Sequence, residues 1–405
     1  MRVGPGFDQP GSRLRRALAA LALAAVACLA AGSGAVRPLT QFKVDGWQTE
    51  QGLPLNTVQA LLQTRDGYLW VGTMGGLARF DGVRFKTFDP RSVPELGFGS
   101  IFGLMEDAEG NLWIGRSGAA VLYRNGGFRV AFDETVTDGR RVWSFCQDAA
   151  GVVWAATENG LVRWEKGSVR VFRRGDGLPT DKLRSVAFDR DGTLWIGTTG
   201  GGLVSFAGGR FRTYGRADGL PNQEVRAVLP DPDGSLWAAT AGGGLARFSQ
   251  GRFQVFGPAQ GLPTGQLTAL ARDREGTLWV GTWGAGLGSL RDGRFSTLDT
   301  AGGLAGNQIW SLCADREGCL WVGTWVGGLN RLRQRHFRTF GVPEGLSHDN
   351  VRAVLHGRDG VLWAATGGGG VNRIDPSGTV TSIRTRDGLP SDEASSLCEG
   401  LDGSL

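Results

Sequence analysis

The sequence predicts an all-β fold built from repeated four-stranded sheets, on three observations. Glycine accounts for 68 of the 405 residues, more than twice its usual share of about 7%, so turns are frequent. Amphipathic helical patterns are missing after residue 35, so the segments between turns are strands. A tryptophan recurs every 41 to 43 residues, at Trp70, Trp113, Trp154, Trp195, Trp237, Trp279, Trp321 and Trp363. Such a period is typical of the blades of a β-propeller.

Residues 219–261 illustrate one repeat. A first strand is expected from about Glu224 to Leu229, before an Asp-Gly turn, and S-L-W-A-A-T forms the second. The glycines at 242–244 turn the chain into L-A-R-F-S-Q, and R-F-Q-V-F-G forms the fourth strand. Four short apolar runs separated by Gly and Asp predict a meandering antiparallel sheet. Stacking such sheets around a ring buries their faces, so the repeating tryptophans are expected to pack between blades.

The chain begins its repeats with a lone strand. Residues 41–47, followed by G-L-P, match the end of a repeat. In a propeller, such a strand completes the last blade and closes the ring. We expect a seven-bladed ring that closes near Leu332.

Two domain divisions are compatible with this closure pattern. In the first, residues 36–333 form one propeller and residues 334–405 start a second, truncated one. The alternative is a single eight-bladed ring over residues 36–405, closed through the repeat of Trp363.

The first 35 residues are typical of an export signal. Arginines between positions 13 and 16 precede the apolar run 17–31, and small residues follow it. This pattern predicts a cleaved signal peptide, with an uncleaved membrane anchor or lipidation at Cys28 as alternatives. All three place the remaining chain outside the cytoplasm. The net charge of +5 is concentrated in this segment, so no nucleic-acid partner is predicted.

No catalytic residue, metal site or cofactor is predicted. The histidines, His336, His348 and His356, lack the spacing of metal ligands. Glycine runs lead into strands rather than helices, and no G-K-[ST] motif follows them, so they indicate turns. The acids before each tryptophan recur in most repeats and are expected to form turns. A catalytic carboxylate pair would instead be confined to particular blades.

Candidate ligand-binding residues are found where the repeats differ. One variable position follows the first apolar residue of the first strand, which should lie near a mouth of the central channel. It holds Gln59, Phe102, Trp143, Arg184, Arg226, Thr268, Trp310 and Arg352. The other follows the threonine of the W-x-G-T stretch and holds Met74, Ser117, Glu158, Thr199, Ala241, Trp283, Trp325 and Gly367.

Indoles bind the faces of sugars, and arginines bind carboxylate or sulfate through their fork of N–H groups. The predicted ligand-binding set is therefore Trp143, Arg184, Arg226, Trp310, Arg352, Trp283 and Trp325. The alternative is that these side chains fill space between blades or mediate contact between rings.

Over about residues 38–405 the chain resembles the two-component regulator propeller repeat family. The motifs that carry the resemblance are D-G-L-P, D-x-x-G-x-L-W-x-G-T and x-G-G-L, as in DGLPTDKLRSVAFDRDGTLWIGTTGGGLVSF at 176–206. The second repeat departs from the pattern, with Arg116 in place of the threonine and PELGFG at 94–99 in place of G-L-P.

The resemblance implies the sensor region of a membrane receptor. Members usually carry two seven-bladed rings, an immunoglobulin-like domain, a membrane helix and a cytoplasmic histidine kinase or diguanylate cyclase, and many respond to polysaccharide fragments. Since residues 402–405 correspond to the stretch just before a tryptophan, we expect this chain to be the N-terminal fragment of such a receptor.

The expected function is therefore periplasmic ligand sensing without catalysis in this fragment. Expected partners are an oligosaccharide, the inner membrane through a downstream helix, and a second copy of the receptor through downstream regions. One alternative is a secreted polysaccharide lyase or glycosidase. The other is a protein-interaction scaffold with no small ligand.

Overall fold

The structure is a computed structural model that describes residues 42–91, 93–334 and 340–405. Across these ranges it is all-β, with eight four-stranded antiparallel sheets. The predicted all-β, propeller-type fold is confirmed. The signal peptide or membrane anchor expected at residues 1–35 lies outside the described residues. The chain divides into two compact units, residues 1–334 and 335–405.

Blades 1 to 3 of the first unit are each formed by four consecutive strands. Blade 1 contains β2 (Val58–Gln63), β3 (Leu69–Thr73), β4 (Gly76–Phe80) and β5 (Phe85–Phe88). Blade 2 contains β6 (Ile101–Glu106), β7 (Leu112–Arg116), β8 (Ala120–Arg124) and β9 (Gly127–Phe132). Blade 3 contains β10 (Val142–Gln147), β11 (Val153–Thr157), β12 (Gly160–Glu165) and β13 (Ser168–Phe172).

Blades 4 to 6 repeat this order. Blade 4 contains β14 (Leu183–Phe188), β15 (Leu194–Thr198), β16 (Leu203–Ala207) and β17 (Arg210–Tyr214). Blade 5 contains β18 (Val225–Pro230), β19 (Leu236–Thr240), β20 (Leu245–Ser249) and β21 (Arg252–Phe256). Blade 6 contains β22 (Gln266–Arg272), β23 (Leu278–Trp283), β24 (Leu287–Arg291) and β25 (Arg294–Leu298). The four strands expected within 219–261 match blade 5 to within one residue at each end.

Blade 7 combines the two ends of the first unit. Its own strands are β26 (Ile309–Ala314), β27 (Leu320–Thr324) and β28 (Leu329–Gln334), and its fourth is β1 (Phe42–Trp47). Val44 of β1 pairs with Leu332 of β28. The prediction that the first strand pairs inside a distant blade near Leu332 is therefore confirmed.

The inner strands β2, β6, β10, β14, β18, β22 and β26 contact one another in sequence, and β26 contacts β2. Seven blades thus form a closed ring. At the closing contact, Arg316 Nη1 donates to the Arg65 carbonyl at 2.9 Å. A Cβ on Gly323 would lie 2.6 Å from Val58 Cγ1, so only glycine admits the first blade's inner strand there.

Short helical turns connect the blades. Within the described part of the first unit, one α-helical turn, α1 (Glu134–Thr137), is present. The 3-10 turns are Thr49–Gln51, Pro94–Leu96, Arg174–Asp176, Arg216–Asp218 and Pro258–Gln260. None of them interrupts the blade order.

The blade tryptophans form the core, and a recurring aspartate fixes them. Trp237 is 4% exposed, and its indole Nε1 donates to Asp231 Oδ2 at 2.7 Å. Equivalent pairs join a tryptophan to the aspartate six residues earlier in blades 2, 3, 4, 6 and 7. In blade 1, Thr64 Oγ1 is the acceptor, at 3.1 Å. These acids therefore orient the core indoles as well as shape the turns.

The strand pairing defines two ends of the ring. Val58 at the start of β2 pairs with Thr73, whereas Gln63 at its end pairs with Leu69. Each inner strand therefore begins at one end of the ring, called here the mouth end. It turns into the tryptophan-bearing strand at the other, called the hairpin end.

The second unit contains blade 8. Its strands are β29 (Val351–His356), β30 (Leu362–Thr366), β31 (Gly370–Ile374) and β32 (Val380–Ile383), with 3-10 turns at Val342–Glu344 and Thr385–Asp387. Gly357 occupies the position of the aspartate that binds the indole in blades 2 to 7. Val354 is 65% exposed, although its counterpart in blade 5, Val228, is 9% exposed.

Candidate functional site at the channel mouth

The candidate site is built on a β-bulge that every inner strand contains. In β14 the pairing with β15 shifts between Leu183 and Ser185, so Arg184 is left outside the ladder. The same shift leaves one residue unpaired at the second or third position of every other inner strand. A bulge re-aims the side chain of its extra residue.

In the first unit, the bulge residues line the central channel. The channel encloses about 260 Å³, and all seven ring positions contribute: Gln59, Phe102, Trp143, Arg184, Arg226, Thr268 and Trp310. Four of the predicted ligand-binding residues, Trp143, Arg184, Arg226 and Trp310, are therefore brought to one channel. We call these seven side chains the bulge ring.

Blades 3 to 5 form a cationic side of the mouth. The Arg184 guanidinium lies over the Trp143 ring, with Cζ 3.6 Å from the ring centroid. Arg226 Nε donates to Glu224 Oε1 at 2.9 Å. Burial of the Arg184 side chain, reinforced by repulsion from Arg226, lowers the pKa of Arg184 to about 10. This stretch of the channel therefore favours an anion.

A second ion pair lies beside Trp143. Glu158 Oε1 lies 3.6 Å from Arg141 Nη1 and accepts a hydrogen bond from Trp143 Nε1 at 3.2 Å. Arg141 Cζ also lies 5.5 Å from the centroid of the Trp143 ring. The Trp143 ring is thus held by hydrogen bonding at its edge and by cations near its faces.

Blades 6 and 7 form an aromatic side of the mouth. Trp283 and Trp325, predicted from the second variable position, pack against Trp310, with ring centroids 5.4 Å and 5.3 Å from it. The Trp283 and Trp325 rings are 5.4 Å apart. All three indoles are partly exposed. We call these three side chains the indole cluster.

Arg352 belongs to the second unit. It is the bulge residue of β29, and its Nη1 lies 3.4 Å from Glu393 Oε2. It therefore belongs to blade 8 and is not a member of the bulge ring.

Several residues of the mouth were missed by reasoning from the sequence. Glu224 precedes its strand and binds Arg226, and Arg141 precedes its strand and binds Glu158. The bulge itself was also missed. The sequence does contain a signal for the bulge. In each inner strand the residue after the first apolar residue varies between repeats, while the residues on either side of it stay apolar or small.

Among the residues that the structure describes, no group of His, Cys, Asp and Glu is arranged to hold a metal ion. No helix in those ranges is both long and apolar enough to cross a membrane.

The fold and channel define a seven-bladed propeller whose mouth carries aromatic, arginine and polar side chains at one variable position of each blade. The sequence model of the two component regulator propeller matches residues 52–75, 177–200, 219–242, 261–284 and 303–326. The chain carries two-component regulator propeller repeats, as the sequence motifs predict. The matches fall in blades 1, 4, 5, 6 and 7, and the departing second repeat is not among them.

Solved structures share the fold. The extracellular domain of a putative hybrid two component system from B. thetaiotaomicron is 22% identical, with a TM-score of 0.71, over 89% of this chain and 51% of that one. This chain therefore spans about half the length of that relative.

A streptogramin B lyase is 14% identical, with a TM-score of 0.60, over 73% of this chain and 99% of that one. PorZ, a surface component of the type-IX secretion system of Porphyromonas gingivalis, is 15% identical, with a TM-score of 0.55, over 82% and 59%. No curated protein gives a significant sequence match.

Proposed function

We propose that this chain is the ligand-sensing part of an exported, membrane-bound receptor of the two-component type and is not itself catalytic. The observation that carries the proposal is the bulge ring. Seven blades share one scaffold, yet the residue that each bulge turns into the channel differs from blade to blade. Variation at a position that the scaffold leaves free is expected of a binding surface.

The ligand is an anionic oligosaccharide. The Arg184 guanidinium and its neighbour Arg226 suit a uronate carboxylate or a sulfate, and the indole cluster suits sugar faces. The family resemblance supports this ligand class, since many of its members respond to polysaccharide fragments.

An enzyme function is the weaker candidate. The lyases that share the fold include a catalytically inactive histidine-to-alanine variant of virginiamycin B lyase from Staphylococcus aureus, solved with quinupristin. The stretch 42–334 contains no histidine, so that residue type has no counterpart in this ring. A protein-interaction scaffold with no small ligand would not account for the position of the Arg184 side chain in the channel.

Blade 8 is the first blade of a second ring. Val351 and Val354 of β29 are 40% and 65% exposed, whereas Val225 and Val228, their counterparts in blade 5, are buried. A neighbouring blade would cover them. The family resemblance supports the rest of the proposed receptor: a membrane helix, a kinase or cyclase output domain, and a dimer formed through those regions.

Calorimetric titration of the exported region with a panel of neutral and anionic oligosaccharides tests the proposal. Saturable binding is expected, and an Arg184→Ala/Arg226→Ala double variant should lose it. The matched control is Arg210→Ala/Arg252→Ala, which removes two exposed arginines from the outer strands of the same two blades.

Binding that survives the double change would place the site outside the bulge ring. Absence of binding across the panel, in a protein that includes the proposed second ring, would overturn the proposed oligosaccharide ligand and favour the scaffold function.

A further inference from the structure

Resting on the proposed sensor function, we propose that the ring selects a ligand with a single anionic group. That group binds Arg184, and the uncharged, ring-bearing remainder of the ligand lies on the indole cluster across the channel. The charge balance and the blade positions of the mouth residues carry this assignment.

The charge balance leaves one cation available. Arg184 and Arg226 are the charged side chains among the described residues that line the channel. Glu224 forms an ion pair with Arg226. Glu158 and Arg141, which do not line the channel, form an ion pair with each other. Arg184 forms no ion pair with any described carboxylate, so it is the one position where an incoming anion gains a new partner.

A second anion on the ligand would meet resistance. To bind Arg226 it would have to displace Glu224, which already accepts from the Arg226 Nε at 2.9 Å. It would also approach the carboxylates of Glu224 and Glu158, and like charges at short range repel. The mouth therefore discriminates against a polyanion.

The geometry of Arg184 suits one planar acceptor. Stacking on Trp143, with Cζ 3.6 Å from the ring centroid, covers one face of the guanidinium. The N–H groups along its edge are left to form two parallel hydrogen bonds to a carboxylate or a sulfate. Burial in the channel strengthens such a pair, because solvent screens it less than at an open surface.

The uncharged part of the ligand has a separate place to bind. Trp310 lines the same channel three blades away from Arg184, the largest separation that a seven-membered ring allows. Trp283 and Trp325 extend this surface.

Three disaccharide probes test the inference by tryptophan fluorescence and calorimetry on the purified chain. They are cellobiose with no charge, cellobiouronate with one carboxylate and digalacturonate with two. Cellobiouronate should bind at least about tenfold more tightly than cellobiose, because a charge-assisted hydrogen bond usually contributes at least that difference in affinity. Digalacturonate should bind no more tightly than cellobiouronate.

Two variants separate the halves of the site. Arg184→Gln should abolish the advantage of cellobiouronate over cellobiose, while Trp310→Ala should weaken both probes by a similar factor. Circular dichroism checks that each variant is folded.

Tighter binding of digalacturonate than of cellobiouronate, with the gain lost in Arg226→Gln, would overturn the single-anion inference and leave the sensor function intact. Failure of all three probes overturns the inference as well. Failure of the wider oligosaccharide panel too would remove the proposed ligand class.

Discussion

The hairpin end and the mouth end of the ring are built from the same strands and obey different rules. At the hairpin end, an aspartate accepts the hydrogen bond of the indole N–H in blades 2 to 7. In blade 1, a threonine is the acceptor. At the mouth end, the bulge residues of blades 1 to 7 are Gln, Phe, Trp, Arg, Arg, Thr and Trp. The repeated aspartate and indole pairs are therefore expected to serve stability. In the proposed function, the varied side chains on the repeated bulge serve ligand recognition.

The difference also explains how one repeat can serve both purposes. The bulge takes one residue out of the ladder, so its side chain can vary without disturbing the pairing of its neighbours. The indole N–H at the other end is buried and requires an acceptor. Substitutions should therefore be costly at the hairpin end and cheap at the mouth end.

The largest expected loss tests this asymmetry with two tryptophans. Trp237→Ala should lower the free energy of unfolding by about 3–5 kcal/mol, because a large buried side chain is lost. Trp283→Ala should cost only about 1–2 kcal/mol, chiefly the contacts of its ring with Trp310 and Trp325. Denaturant titration of both variants gives the comparison. Equal losses would mean that the indole cluster is as structural as the blade core.

The aspartate at the hairpin end gives a second, smaller effect. Asp273 Oδ2 accepts from Trp279 Nε1 at 2.8 Å, and Oδ1 accepts from the Thr277 backbone N–H at 2.9 Å. Asp273→Ala should cost about 2 kcal/mol, because a buried donor loses its acceptor.

A matched substitution sharpens that test. Asp273→Thr should recover part of the loss, because Thr64 performs the same role in blade 1. If threonine is no better than alanine in thermal melts, then the turn shape and not the indole hydrogen bond explains the aspartate.

Ring closure supplies a third test, which depends on pH. Burial raises the pKa of Asp45, but hydrogen bonds from Arg331 and Lys43 and the charge of Arg333 outweigh it and hold that pKa below its usual value. The stabilisation is therefore present at neutral pH and is lost as pH falls through the depressed pKa of the folded state.

Asp45→Asn should accordingly cost about 1 kcal/mol at pH 7, a value appropriate to partly exposed ion pairs. The difference from the unchanged protein should shrink towards zero as pH falls through the depressed pKa of the folded-state carboxyl group, because protonation removes its charge. Urea unfolding at pH 7 and in progressively more acid buffer measures the difference, with Asp191→Asn, at an exposed aspartate, as control. A difference that persists in acid would attribute the loss to packing rather than charge.

The smallest expected effect on stability is at Arg184. Arg184→Gln should change the free energy of unfolding by no more than about 0.5 kcal/mol, or increase it, because a buried cation without a carboxylate partner is removed. Thermal melts give the result.

Arg272 is the matched control, since it lies on an inner strand but at the hairpin end. Its Nη1 donates to the Gly276 carbonyl at 2.8 Å, and its Nη2 pairs with Asp231. Arg272→Gln should cost about 1–2 kcal/mol. A larger loss at Arg184 than at Arg272 would contradict the division between the two ends.

Most of the fold could be predicted from the sequence. The regular spacing of the tryptophans from Trp70 to Trp363 and the Gly and Asp residues at the turns are local signals. The pairing of β1 with β28 was also predictable, since residues 41–47 repeat the end of a blade. The bulge was not, because a one-residue shift in pairing is a property of two strands together. The indole cluster was only half predictable: the sequence gives Trp283, Trp310 and Trp325 as variable residues, but their contact depends on the geometry of blades 6 and 7.

The pairing of β1 with β28 also determines the order in which the molecule can be completed. Asp45 and Arg331, which pair across these strands, are 286 residues apart in the chain. At about 5–20 residues per second, the ribosome releases the second roughly 15–60 s after the first. Contacts of such sequence separation form slowly, because the loop between them must lose its entropy first. The earliest strand is thus the last to find its place, and until it does, β28 is an open edge on which newly made chains are most prone to associate.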